Sequence, residues 1–133
     1  MGLKIKIFSP GKTKEKWLQE GLAEYEKRLG GIEIEWDYKT LPQKAPFICL
    51  DPRGKSYSST TFSEFLYKEF EKEGSRLTFV IGDADGLPSH LLEKASHVIT
   101  LSKLTFTHQL ARLILLEQIY RATQIYHNTP YHK

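Results

Sequence analysis

The chain has 133 residues, 40% hydrophobic, 12% aromatic and 26% charged, with a formal net charge of +3. That is the length of one domain, residues 1–133, with enough apolar material for a sizeable core, which excludes a disordered or a multidomain protein. The mild positive charge is compatible with a nucleic-acid partner without requiring one, and the single cysteine, Cys49, leaves no internal disulfide framework.

In chain order, Leu3, Ile5 and Ile7 alternate with Lys4 and Lys6, which predicts a half-buried strand. The same stretch falls short of the apolar run of a signal peptide or a membrane span, so a cytoplasmic setting without membrane is expected. In TKEKWLQEGLAEYEKRLGG the residues Leu18, Leu22, Tyr25 and Leu29 share one helical face, and Gly30 and Gly31 suit a C-terminal cap. IEIEWDY alternates again, with Ile32, Ile34 and Trp36 inward. PFICL reads as a buried strand ending at Leu50 and followed by a loop, DPRGKSYSS.

A helix is predicted from near Ser59 to Gly74, with Phe62, Phe65, Leu66 and Phe70 at helical spacing. LTFVI is the next buried strand, Pro88 and Ser89 open a short helix to about Ser96, and HVITL makes a further strand. A long last helix follows, from about His108 to His127. Alternating strands and helices indicate an α/β domain with a mostly parallel sheet flanked by helices. In the last helix, Leu110, Leu113, Ile114, Leu115, Leu116, Ile119, Tyr120, Ala122 and Ile125 exceed a single apolar stripe. The expectation is a homodimer packed partly through this helix.

The stretch FVIGDADGLP carries the chemistry question, because Asp83 and Asp85 after a buried strand fit an aspartyl phosphohydrolase. Such an enzyme needs a magnesium-binding acid at a later strand end, and the only later acids, Glu93 and Glu117, fall in predicted helices. An EF-hand lacks its remaining ligands, and GDADG is not a dinucleotide fingerprint. The five histidines, His90, His97, His108, His127 and His132, have no zinc spacing, so no metal is expected. What survives is position. Three loops leave strand carboxyl ends, after Leu50, after Ile81 and from Leu101, where an open parallel sheet binds its ligand. Gly82 and Gly86 permit close backbone approach there.

The segments CLDPRGKSYSS, VIGDADGL, LSKLTFTHQLARLILLEQIYRA and the terminal PYHK together resemble the RlmH (YbeA-like) family of SPOUT methyltransferases. The resemblance implies a SPOUT-type sheet with a C-terminal trefoil knot, a homodimer, and S-adenosyl-L-methionine as methyl donor. It implies methyl transfer to N3 of a pseudouridine in 23S ribosomal RNA, with large-subunit RNA or the ribosome as partner and no metal. It sets the cofactor-binding positions at Leu50, Gly82, Leu101, Ser102, Lys103, Leu104, Thr105 and Phe106. His108 and Arg112, four apart on one helical face, become candidates for base orientation, with Arg112 also for phosphate contact. Tyr131, His132 and Lys133 match the family's ending, and the resemblance implies that the tail helps complete the RNA and cofactor site across the dimer. The chain departs from the family at Asp83, where a glycine is usual, at Thr107, where a proline is usual, and in a short segment between Trp36 and Pro46. A dimeric RNA-binding module without methyl transfer, and an Asp-dependent phosphohydrolase, are the alternatives.

Overall fold

The structure is a computed structural model that describes residues 2–83 and 86–132, so Asp85 and Lys133 lie outside the described residues. Five strands, β1 (Leu3–Phe8), β2 (Ile32–Asp37), β3 (Ile48–Ser56), β4 (Arg76–Ile81) and β5 (His97–Thr100), form one sheet in the order β2-β1-β4-β3-β5. Every pairing is parallel. Four helices, α1 (Lys16–Arg28), α2 (Ser59–Lys72), α3 (Ser89–Lys94) and α4 (His108–Tyr126), cover it.

Alternation along the strands decides which helix goes where. Ile5, Ile7, Ile48, Phe79, Ile81 and Ile99 point to one face and pack under Leu18 and Leu22 of α1, Phe62 and Leu66 of α2, and Leu115 and Ile119 of α4. Cys49 and Val80 point to the other face and meet Leu91 of α3 together with Phe47 and Leu87. Burial pushes the Cys49 thiol up to about 11, with nearby Asp51 adding to the shift, so this cysteine is inert core. The second face is left polar along β1 and β2. Lys4 sits 3.0 Å from Glu35 and 3.6 Å from Glu33, and Lys6 sits 3.4 Å from Glu35, so the alternating lysines are explained by cross-strand carboxylates.

Three expectations change. β3 does not stop at Leu50. It runs to Ser56, with a register break between Leu50 and Lys55, both of which pair with Ile99 of β5. Pro52 and Gly54 disfavour a strand locally, but a Cβ on Gly54 would lie 2.6 Å from the Ile99 and Val98 backbone, so the chain crosses β5 at a distance only glycine allows. At the end of α1 neither Gly30 nor Gly31 takes a positive φ; Leu29 occupies the cap position and its N–H bonds to the Tyr25 carbonyl. Finally, α4 is flanked within its own chain by α1 and α2: Leu113 meets Gly21, Tyr120 meets Tyr25, and Ser63 Oγ donates to the Ala122 carbonyl at 2.8 Å. Much of the apolar excess of α4 is used this way, and its outward strip is reduced to half-buried Leu110, Ile114 and Ile125 with Glu117 and Arg121.

No helix of the described residues is long and apolar enough to cross a membrane.

Candidate functional site

β4, β3 and β5 are neighbours, so the register break of β3 after Leu50 and the loops that follow β4 and β5 share one rim. Between them lies a crevice of about 760 Å³, within the size range of small-molecule sites. Leu50, Asp51 and Pro52 line it from β3, Ile81, Gly82 and Asp83 from β4, and Leu101, Ser102, Leu104, Thr105 and Phe106 from the segment after β5. Its end is closed by Thr107, His108, Gln109 and Ala111 at the start of α4.

Each wall has a local cause. The Gly86 N–H bonds to the Asp83 carbonyl at 2.9 Å, closing a tight turn in which Gly86 has φ 82°, a conformation that favours glycine. A Cβ on Gly82 would lie 2.8 Å from the Gly86 backbone, so this wall stays thin only with glycine there. Across the crevice, the Ser102 hydroxyl accepts from Leu104 N–H at 3.0 Å while its carbonyl accepts from Thr100 Oγ1 at 2.7 Å, which folds the chain sharply after β5. Thr107 caps α4, its hydroxyl accepting from Leu110 N–H at 3.2 Å. The threonine, where the family has proline, therefore fixes this turn by capping. Asp51 accepts from both the backbone and the guanidinium of Arg53, which holds its carboxyl below the usual range and keeps a charge at the lip.

Of the predicted positions, Leu50, Gly82, Leu101, Ser102, Leu104, Thr105, Phe106 and His108 gather around this crevice. Lys103 is exposed and is not among the residues that line it. Arg112 does not reach the crevice or the surface. It is completely buried, and its guanidinium donates to Ser9 Oγ, Thr13 Oγ1, Gln109 Oε1 and the carbonyls of Ser9, Pro10 and Gly11. The spacing of four does put His108 and Arg112 on one face, but the loop after β1 covers that face at the level of Arg112. A buried guanidinium there satisfies carbonyls that would otherwise be unpaired, and it is covered on the side where a phosphate would have to approach. The Tyr38 ring lies 4.9 Å from it, and burial lowers its affinity for its proton.

Tyr131 and His132 lie on the outward side of α4. Tyr131 donates to Glu117 at 2.9 Å and stands edge-on to Tyr120, while Arg121 is 3.0 Å from His132 Nδ1 and lies against the Tyr131 ring. Burial, then its bonds to Tyr25 and Glu117, raise the Tyr131 pKa and keep its phenol protonated. The tail is thus docked on its own helix, away from its own crevice. Sequence reasoning missed Gln109, whose only signal was its place beside His108, and the Glu117–Arg121 pair, which has ordinary helical spacing.

An open parallel sheet with helices on both faces and an apolar crevice beside β3, β4 and β5 defines an α/β protein with a candidate small-molecule site. Residues 31–132 match the family model described as "Predicted SPOUT methyltransferase". Proteins named ribosomal RNA large subunit methyltransferase H are similar over nearly the whole chain. That of Protochlamydia amoebophila is 51% identical, covering 98% of this chain and 99% of that protein. That of Streptococcus uberis is 38% identical over 159 aligned positions, covering 98% and 100%. The latter alignment is longer than this chain, so the relative carries residues lacking here. Among solved structures, a probable methylase family protein from Haemophilus influenzae has a TM-score of 0.62 at 10% identity, covering 98% of this chain and 70% of that one. A probable methyltransferase from Bordetella pertussis has a TM-score of 0.58 at 8% identity, covering 90% and 95%. These two likenesses concern the fold alone. The chain belongs to the SPOUT methyltransferases and, within them, to the RlmH family, and it is a methyltransferase.

Proposed function

We propose that the protein methylates N3 of a pseudouridine in 23S ribosomal RNA, using S-adenosyl-L-methionine held in the crevice beyond β3, β4 and β5. The observation that carries this reading is the convergence of Leu50, Gly82, Leu101, Ser102, Leu104, Thr105 and Phe106 on one apolar crevice in a chain of this family. Relatives named for methylation of large-subunit ribosomal RNA support the substrate.

The crevice fits the cofactor's chemistry. Its thin glycine wall admits a flat ring close to main chain, its apolar lining suits adenosine, and the Asp51 carboxylate at the lip suits hydroxyls or a positive sulfur. When bound, the cofactor supplies a methyl group already activated by a cationic sulfur, so the chain's work is orientation, exclusion of water and help in removing the N3 proton. Lys103, exposed beside the crevice, remains in this reading as a contact made when the segment closes over the ligand. The same reading includes a homodimer, in which the docked tail, with Tyr131 and His132, completes the RNA and cofactor site of the partner; Lys133, outside the described residues, belongs to the same RNA-binding set. It also includes the trefoil knot that the family resemblance implies.

Two measurements test the proposal. Calorimetry is expected to give saturable binding of S-adenosylmethionine by the folded protein. Ribosomes from a strain lacking this methylation are then incubated with protein and cofactor and analysed by nucleoside mass spectrometry. A new N-methylpseudouridine is expected; an unchanged pseudouridine signal would overturn the assignment.

A further inference from the structure

Three contacts in the first turn of α4 decide the state of one ring. Arg112 Nη1 donates to Gln109 Oε1 at 3.2 Å, and Gln109 Nε2 donates to the Lys12 carbonyl at 3.0 Å. Turning the amide over would set oxygen against carbonyl and nitrogen against guanidinium, so both neighbours fix its orientation. The second proton of the same Nε2 faces His108 Nε2 at 3.2 Å. An amide nitrogen does not accept, so His108 Nε2 is the acceptor and bears no proton; the ring's proton is on Nδ1. Among the described residues Nδ1 has no hydrogen-bond partner, and His108 lines the crevice.

We propose that Gln109 is a positioning residue that fixes His108 as its Nδ1–H tautomer, so that His108 donates a hydrogen bond to a carbonyl oxygen of the target base and does not take the base's proton. The role of the donor rests on the methyltransferase reading above. In pseudouridine, N3 lies between two carbonyl carbons, and its ionisation spreads negative charge onto their oxygens. A donor aimed at one of them stabilises the charge as it develops. The N3 proton passes to hydroxide from solvent, the freed electron pair forms the nitrogen–carbon bond to the methyl group, and the carbon–sulfur pair stays on sulfur. His108 keeps its own proton throughout.

The tautomer is read without cofactor or RNA, by long-range proton–nitrogen correlation on 15N-labelled protein in alkaline buffer. The expected His108 pattern is a pyrrole-type Nδ1 and a pyridine-type Nε2, reversed in Gln109→Glu, whose carboxylate can only accept. The donor role is read from His108 variants whose cofactor affinity is unchanged. Asparagine sets an amide N–H close to the position of Nδ1–H, so His108→Asn is expected to keep kcat within about tenfold of wild type while His108→Ala loses about a hundredfold. An Nε2–H ring in the wild-type protein, or equal losses in the two variants, would overturn the proposal. Failure to bind S-adenosylmethionine would instead overturn the methyltransferase reading and leave the nitrogen spectra to report on the ring.

Discussion

Gly54 and Gly82 stand where one stretch of backbone passes another with no room for a side chain. At Gly54 a Cβ would lie 2.6 Å from backbone atoms of Val98 and Ile99, and a β-strand cannot move aside as a flexible side chain can. Gly54→Ala is therefore expected to lower stability by about 3 kcal/mol, read from urea denaturation midpoints. At Gly82 the obstacle is the backbone of exposed Gly86, 2.8 Å from where a Cβ would stand. Gly82→Ala should cost little stability but weaken S-adenosylmethionine binding about tenfold by distorting the wall. Asp83, whose residue is exposed, is the control: Asp83→Gly should leave the dissociation constant within about threefold. A tenfold loss in Asp83→Gly would make its carboxylate a ligand-binding group. The close backbone approach at Gly82 was legible in GDADG, because glycine after a buried strand has few other reasons to be there. That of Gly54 was not: DPRG reads locally as a turn, and the strand it crosses lies more than forty residues later.

At the scale of elements, helices were the easier part. Their apolar spacing is local, and α2 and α4 begin and end close to where capping residues and periodicity put them. The Arg112 clamp shows what local pattern leaves out. Helical spacing fixed the face of α4 on which Arg112 lies, but not the loop after β1 that covers it, since the two are about a hundred residues apart. Arg112→Met should destabilise by about 3 kcal/mol, because carbonyls of Ser9, Pro10 and Gly11 lose their donors while staying covered. Arg112→Lys should recover only a small part, since an ammonium has three donors in place of the guanidinium's five and no planar fork. A stable Arg112→Lys protein with wild-type cofactor affinity and lost RNA methylation would contradict the structural role assigned here and return Arg112 to the RNA site.

For the whole molecule, strand alternation divides the side chains correctly between the two faces, with Ile5 and Ile7 to the larger core and Lys4 and Lys6 to the β2 carboxylates. The order β2-β1-β4-β3-β5 was not legible, because parallel partners are joined through helices and no turn chemistry links β1 to β4 or β3 to β5. The outward strip of α4 is where the molecule's association is to be tested. Leu110, Ile114 and Ile125 are half-buried, and the nearby segment after β5 carries Leu104 at 74% exposure. Ile114 lies opposite the buried Leu115, Leu116 and Ile119 side of the helix, so a charge there leaves the protomer's own core intact. If two protomers meet through this strip, Ile114→Glu should convert a dimer into a monomer in light scattering while the thermal unfolding transition of the protomer persists. Cofactor binding confined to one chain would survive in that monomer, whereas RNA methylation that needs the partner's Tyr131 and His132 would be lost. A variant that stays dimeric would move the interface to another face, and a monomer with full methylation would remove the tail from the shared site.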